Sequence, residues 1–136
     1  MLLVLDSNEY IFAFGLYKKP SCEELLDTIL SFSIPIRISQ AIIKEIRRNL
    51  PISAFKEFIE FITSLTIIDE DIFVPFELGI KYELKGLKPS DAFIAAYTEW
   101  VGADALVTEN RHFLSKHSDL PFKVLTAKEC LKILSK

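Results

Sequence analysis

The sequence predicts a three-layer α/β/α domain, with a mostly parallel central sheet covered by helices on both faces. Three observations carry this reading. The chain opens on an unbroken apolar run, Leu2, Leu3, Val4 and Leu5, and a strand without polar alternation suits burial on both faces. Short apolar segments recur between stretches of helical periodicity, an order that calls for parallel pairing through right-handed crossovers. Half of the 136 residues are apolar, eleven of them Phe, enough for one core, so residues 1–136 read as a single domain.

In chain order, residues 9–16 form a short apolar segment leading past Gly15 to a turn at Lys19 and Pro20. Ser21 with Glu24 three positions on has the form of a capping box. Leu25, Leu26, Ile29, Leu30 and Phe32 follow at helical spacing until Pro35, which cannot continue a helix. Residues 34–39 read as the second strand, and 40–50 as a helix with Ile42, Ile43, Ile46 and Leu50 inward. The helical stretch 53–65 carries Phe55, Phe58 and Phe61, a stripe that fills the core or faces a second subunit. Residues 66–69 give a third strand, and 74–85 a helix that stops at Gly86. Ser90 is placed to N-cap the next helix, which Gly102 closes. Residues 103–108 and 122–125 are strands, the last able to add at an edge, and Thr126 with Glu129 makes a second capping box before the terminal helix.

A mean hydropathy of +0.28 is high for a small soluble protein, yet no stretch approaches the ~20 apolar residues of a membrane span. The surplus points to an oligomer contact, with a homodimer expected. The N-terminal run lacks a basic flank and is too short for a signal peptide, so the expected location is cytoplasmic. Cys22 and Cys130 form no CxxC and read as buried thiols. The net charge of −3 gives no overall attraction for nucleic acid. Any such binding falls to local groups: Lys44, Arg47 and Arg48; Lys81, Lys85 and Lys88; or Arg111 with Lys116. His112 and His117 have no third nitrogen or sulfur ligand beside them and read as loop residues.

Against this scaffold a polar set stands out. Asp6 ends the first strand, Glu45 lies on the helix after the second, Asp91 is in the first turn of the helix after Pro89, and Thr108, Glu109 and Asn110 close a later strand. All could meet at the carboxyl edge of one sheet, where ligands of such sheets bind. Two carboxylates ~5 Å apart at an effective dielectric of ~20 repel by roughly 3 kcal/mol, so a gathered set needs a cation or a retained proton. Hard oxygen donors favour Mg²⁺ or Mn²⁺. Plainer readings stand beside this one. Asp91 complements a helix dipole, Glu45 is a surface glutamate or a partner of Arg47 or Arg48, and Asn110 belongs to a turn. Asp6 resists such a reading best, because an acid ending an unbroken apolar strand is usually there for a ligand.

The ordered motifs LDSN, QAIIKEI, KPSDAFIAAYTEW and GADALVTENRHF resemble those of the PIN-domain ribonucleases, a family that includes the VapC-type toxins of toxin–antitoxin pairs. The likeness spans nearly the whole chain. It implies a metal-dependent endoribonuclease acting on RNA, with Asp6, Glu45 and Asp91 as acidic ligands of Mg²⁺ or Mn²⁺ and Asn110 in a fourth position that is often Asp. It also implies Ser7, Asn8 and Thr108 as supports and an antitoxin as partner. Lys44, Arg47, Arg48 and Arg111 are candidates to grip RNA phosphates. With Asn110 the four positions carry −3 rather than −4, which predicts one firm metal site and a weaker second; Glu109 is adjacent, but strand alternation points it to the other face. Two other readings compete. One is a PIN-like module with weakened catalysis that binds RNA or protein. The other is a haloacid-dehalogenase-type phosphohydrolase, disfavoured because the second acid expected two residues after Asp6 is Asn8.

Overall fold

The computed structural model describes residues 1–110, 113 and 119–135. Five parallel strands, β1 (Leu3–Leu5), β2 (Ile36–Ser39), β3 (Thr66–Asp69), β4 (Ala105–Val107) and β5 (Lys123–Leu125), form one sheet in the order β3-β2-β1-β4-β5. Seven α-helices accompany them among the described residues: α1 (Ser7–Phe14), α2 (Pro20–Phe32), α3 (Gln40–Asn49), α4 (Ile52–Leu65), α5 (Phe76–Leu84), α6 (Pro89–Trp100) and α7 (Ala127–Leu134). A 3₁₀ turn, Asp71–Phe73, precedes α5. The three-layer parallel α/β architecture is therefore as the sequence predicts. None of the described helices is long and apolar enough to cross a membrane.

Right-handed crossovers put α1 to α4 on one face, where they pack on one another, and α5 with α6 on the other; α7 returns to pack on α2. Leu3, Val4 and Leu5 are wholly buried, as a central strand with two covered faces requires. Register sets Leu3 opposite Ala105 and Leu5 opposite Val107, so β1 and β4 end side by side.

Several elements differ in detail from the sequence reading. Residues 9–16 are largely helical, since α1 begins directly at Ser7 with Asp6 as its N-cap. The first helical turn of α2 is set by Pro20, whose fixed φ and missing N–H suit the first position, with Lys19 at the N-cap; the Ser21–Glu24 box does not form. Likewise α6 starts at Pro89 after Lys88, so Ser90 lies inside the helix. The helix expected over 74–85 forms as α5 but starts later, at Phe76 after Pro75, and the 3₁₀ turn lies before it. Gly86, with φ of 99°, does end α5, and Thr126 and Glu129 do form their capping box.

Phe58 is a correction. It is 0% exposed, so it cannot belong to a dimer surface. The rings of Tyr10 and Phe14 from α1 meet it edge-on at 5.1 and 6.1 Å, and the half-buried Phe55 packs on it at 5.7 Å, as the half-buried Phe61 does on Phe14 at 5.9 Å. The stripe of α4 is thus largely roofed by α1. Exposed apolar side chains include Ile67 of the edge strand β3, Ile72 and Phe73 of the 3₁₀ turn, and Phe76 and Leu84 of α5, besides Leu16, Tyr17, Phe32 and Ile52.

Candidate functional site

The strand order reverses between β1 and β4, since the chain first builds outward through β2 and β3 and then returns to the other side of β1. Such a reversal opens a crevice at the carboxyl ends of the two strands. Asp6 and Thr108 stand there. The Thr108 hydroxyl donates to Asp6 Oδ2 at 2.8 Å and accepts from the backbone N–H of Asn110 at 3.0 Å. Asp6 Oδ1 accepts from the Ser7 N–H at 2.7 Å and lies 3.4 Å from Ser7 Oγ. Both oxygens of a nearly buried carboxyl are thereby oriented. Ser7 and Thr108, named from the sequence as supports, are in contact with Asp6; Asn8 is half-buried in the first turn of α1.

Glu45 reaches this edge on α3, whose start is fixed twice. Ser39 Oγ accepts from Ile42 N–H at 3.3 Å, and Asp71 Oδ1, from the turn after β3, accepts from Ala41 N–H at 3.0 Å. Asp91 arrives in the first turn of α6 from the opposite face. The Asp6 carboxyl is held above its ordinary range, chiefly by burial; the bonds from Thr108 and Ser7 oppose this, while the charges of Glu45 and Asp91 add to it. The structure therefore brings all three acids within electrostatic reach. A carboxyl held up in this way by burial and neighbouring charge is relieved by a proton or by a cation, and an all-oxygen donor set suits a hard divalent ion such as Mg²⁺ or Mn²⁺. Asn110 is half-buried in the turn after Thr108.

Of the basic candidates, Arg48 lines a cleft of about 360 Å³ with Glu45, Ser90 and Phe93. Lys44 and Arg47 are exposed on the same helix. Among the described residues Glu45 makes no ion pair with Arg47 or Arg48; the two pairs found there are Arg37–Asp69 and Lys81–Glu99. Arg111, His112, Lys116 and His117 lie outside the described residues.

A second cluster escaped the sequence reading. Glu9, Cys22 and Glu109 place ligand-capable atoms within 4.8 Å of one another. Glu9 is wholly buried, and its carboxyl is pushed up to about 9 by burial first, then by the hydrogen bond and charge of Glu109. The Cys22 thiol, which donates to Glu9 Oε1 at 3.8 Å, is pushed up to about 12, mainly by burial and next by Glu9. Glu109 does not replace Asn110; its Oε2 accepts from the Ala127 N–H at 3.0 Å at the start of α7. The available signal was a lone acid inside the apolar segment 9–16, whose burial follows once that segment is helical.

No protein-family model and no curated protein matches the chain. Solved structures do. A chain of VapBC2 from Rickettsia felis, crystallised bound to a DNA fragment from their promoter, is similar with a TM-score of 0.64 at 22% identity, covering 93% of this chain and 98% of that one. FitAcB from Neisseria gonorrhoeae gives 0.61 at 15% identity over 93% and 98%, and FitAB bound to an IR36 DNA fragment 0.61 at 12% over 92% and 94%. At these identities the likeness is one of fold.

Proposed function

We propose that the chain is a divalent-metal-dependent endoribonuclease of the PIN-domain, VapC-like type, and the toxin member of a toxin–antitoxin pair. The observation that supports this is that Asp6, at the β1–β4 edge, feels the charges of Glu45 and Asp91, in a fold shared with chains of the VapBC2 and FitAB assemblies. These three acids would hold Mg²⁺ or Mn²⁺, which when bound supplies an activated water and neutralises charge on a phosphodiester. The chain's own part is positional. Thr108 and Ser7 fix Asp6, Arg48 beside Glu45 grips a phosphate flanking the scissile one, and Lys44 and Arg47 extend that grip along α3. No side-chain nucleophile is required. Asn110 leaves the set at −3, which supports one firm metal site and a weaker second. An acidic crevice also suits a partner that inserts Arg or Lys, and the solved neighbours are themselves assemblies, so we assign an antitoxin as the partner.

Asn110 supports one other reading, a PIN-like module with weakened catalysis that binds RNA or protein. Cleavage of single-stranded and structured RNA, with Mg²⁺ and with EDTA, separates the two. The nuclease reading expects cleavage that EDTA and Asp6→Asn each abolish. Tight RNA binding without metal-dependent cleavage selects the module, and equal metal-independent cleavage by both proteins rejects the metal centre.

A further inference from the structure

We propose that Glu9, Cys22 and Glu109 form a second metal site, one for a thiophilic ion of the Zn²⁺ class, built behind the carboxylate edge and separate from it. The three ligands come from α1, the start of α2 and the loop after β4, and their donor atoms fall within 4.8 Å of one another. Glu9 Oε2 is fully buried and, among the described residues, is left without a hydrogen-bond partner unless a proton is shared with Glu109, an arrangement that costs free energy unless something satisfies it. None of the ion pairs among the described residues reaches Glu9 or Glu109.

The donor chemistry chooses the ion. One sulfur with two carboxylates suits Zn²⁺, whereas Mg²⁺ takes oxygen alone and keeps its waters. A bound dication would turn the thiol into a thiolate outright and convert the mutual repulsion of the two acids into coordination. The surroundings match such a site. Glu109 is oriented by the Ala127 N–H through Oε2, as ligating carboxylates are by their outer partners. Glu109 also lines a surface cleft of about 490 Å³ with Lys19, Ser21, Thr126 and Lys128, an entry path for the ion and a source of water for a fourth position. Occupied, the site ties α1 and α2 to the β4 loop that carries Asn110. The competing account is a single proton held between Glu9 and Glu109.

Cobalt decides between them, because a thiolate bound to Co²⁺ gives a near-ultraviolet charge-transfer band that oxygen ligands do not. The intact chain, stripped by chelation and titrated with Co²⁺ in excess Mg²⁺, is expected to show this band at one equivalent. Zn²⁺ should displace it and raise Tm. Cys22→Ser should abolish the band, and Glu9→Gln should weaken binding by more than the roughly 10–100-fold that a supporting residue costs. Asp6→Asn should retain the band, so the outcome is read independently of the nuclease proposal. A wild-type protein with no thiolate band and no Zn²⁺-dependent rise in Tm overturns the site in favour of the shared proton, as does a band that survives Cys22→Ser. Should Cys22→Ser fail to fold, the wild-type titration and Glu9→Gln decide alone.

Discussion

Thr108 uses its one hydroxyl twice, donating to Asp6 and accepting from the amide that leads to Asn110. Its replacement by Val keeps the shape and removes both bonds. The expected result is a chain that still folds, destabilised by roughly 1.5–3 kcal/mol, with metal affinity and RNA cleavage down ~10–100-fold; unchanged cleavage would mean that Asp6 needs no such support. Asp69 is fixed more heavily. Arg37 donates twice to it, at 2.6 and 2.9 Å, and Tyr97 donates at 2.6 Å. Burial pushes its carboxyl up, but these bonds outweigh burial and leave it below the ordinary 3.8. A carboxyl depressed on folding stabilises the native state above its unfolded pKa and loses that contribution as pH falls through the folded one. Acid unfolding should therefore steepen below about pH 3.8 in the wild type and flatten in Asp69→Asn; parallel stability curves would contradict this. At this scale the sequence was most informative where a residue violated its surroundings. Asp6 was legible as a carboxylate ending an apolar strand. Glu9 was not, because its partners Cys22 and Glu109 come from other elements and nothing local announces their meeting.

Among the elements, α1 accounts for most of what the sequence reading lacked. Eight residues, SNEYIFAF, are too short and too apolar to show a clear helical face, so periodicity alone does not type the segment. Once helical, it delivers Asp6 as its N-cap, Glu9 to the buried cluster, and Tyr10 and Phe14 to the roof over α4. That last contact explains why Phe58 is core rather than interface. The end of α1 carries a sharp constraint, since a Cβ on Gly15 would lie 2.5 Å from the carbonyl oxygen of Ile11. In α5, a Cβ on Gly79 would meet nothing within 4 Å. Gly15→Ala should lower Tm, while Gly79→Ala should raise stability by about 0.4–1 kcal/mol through the unfolded chain. Paired melting curves in which both substitutions act alike would refute the distinction. Strand content, the stop of α5 at Gly86 and the start of α7 at Thr126 were readable, because their causes are local, whereas the starts set by Pro20 and Pro89 were masked by the capping residues Ser21 and Ser90 beside them. Strand order was not, since it depends on which crossovers pack.

For the whole molecule, the reversal between β1 and β4 is the organising fact. It brings residues 6 and 108 into hydrogen bond and leaves Asp6 within electrostatic reach of Glu45 on α3 and Asp91 on α6. With a net charge of −3, the proposed nuclease would have to hold RNA through local cations such as Arg48 and through the ion. Exposed apolar side chains lie on β3, the 3₁₀ turn and α5, and apolar patches of this kind can mark interaction sites. On the proposed function, three acids from three separate elements make one metal centre. It is tested most directly by Mn²⁺ titration followed by electron paramagnetic resonance, in a Cys22→Ser background so that only the oxygen site is counted. One tight ion per chain is predicted, lost in each of Asp6→Asn, Glu45→Gln and Asp91→Asn; Mn²⁺ binding that survives all three substitutions, or two equally tight ions in the parent, would contradict it.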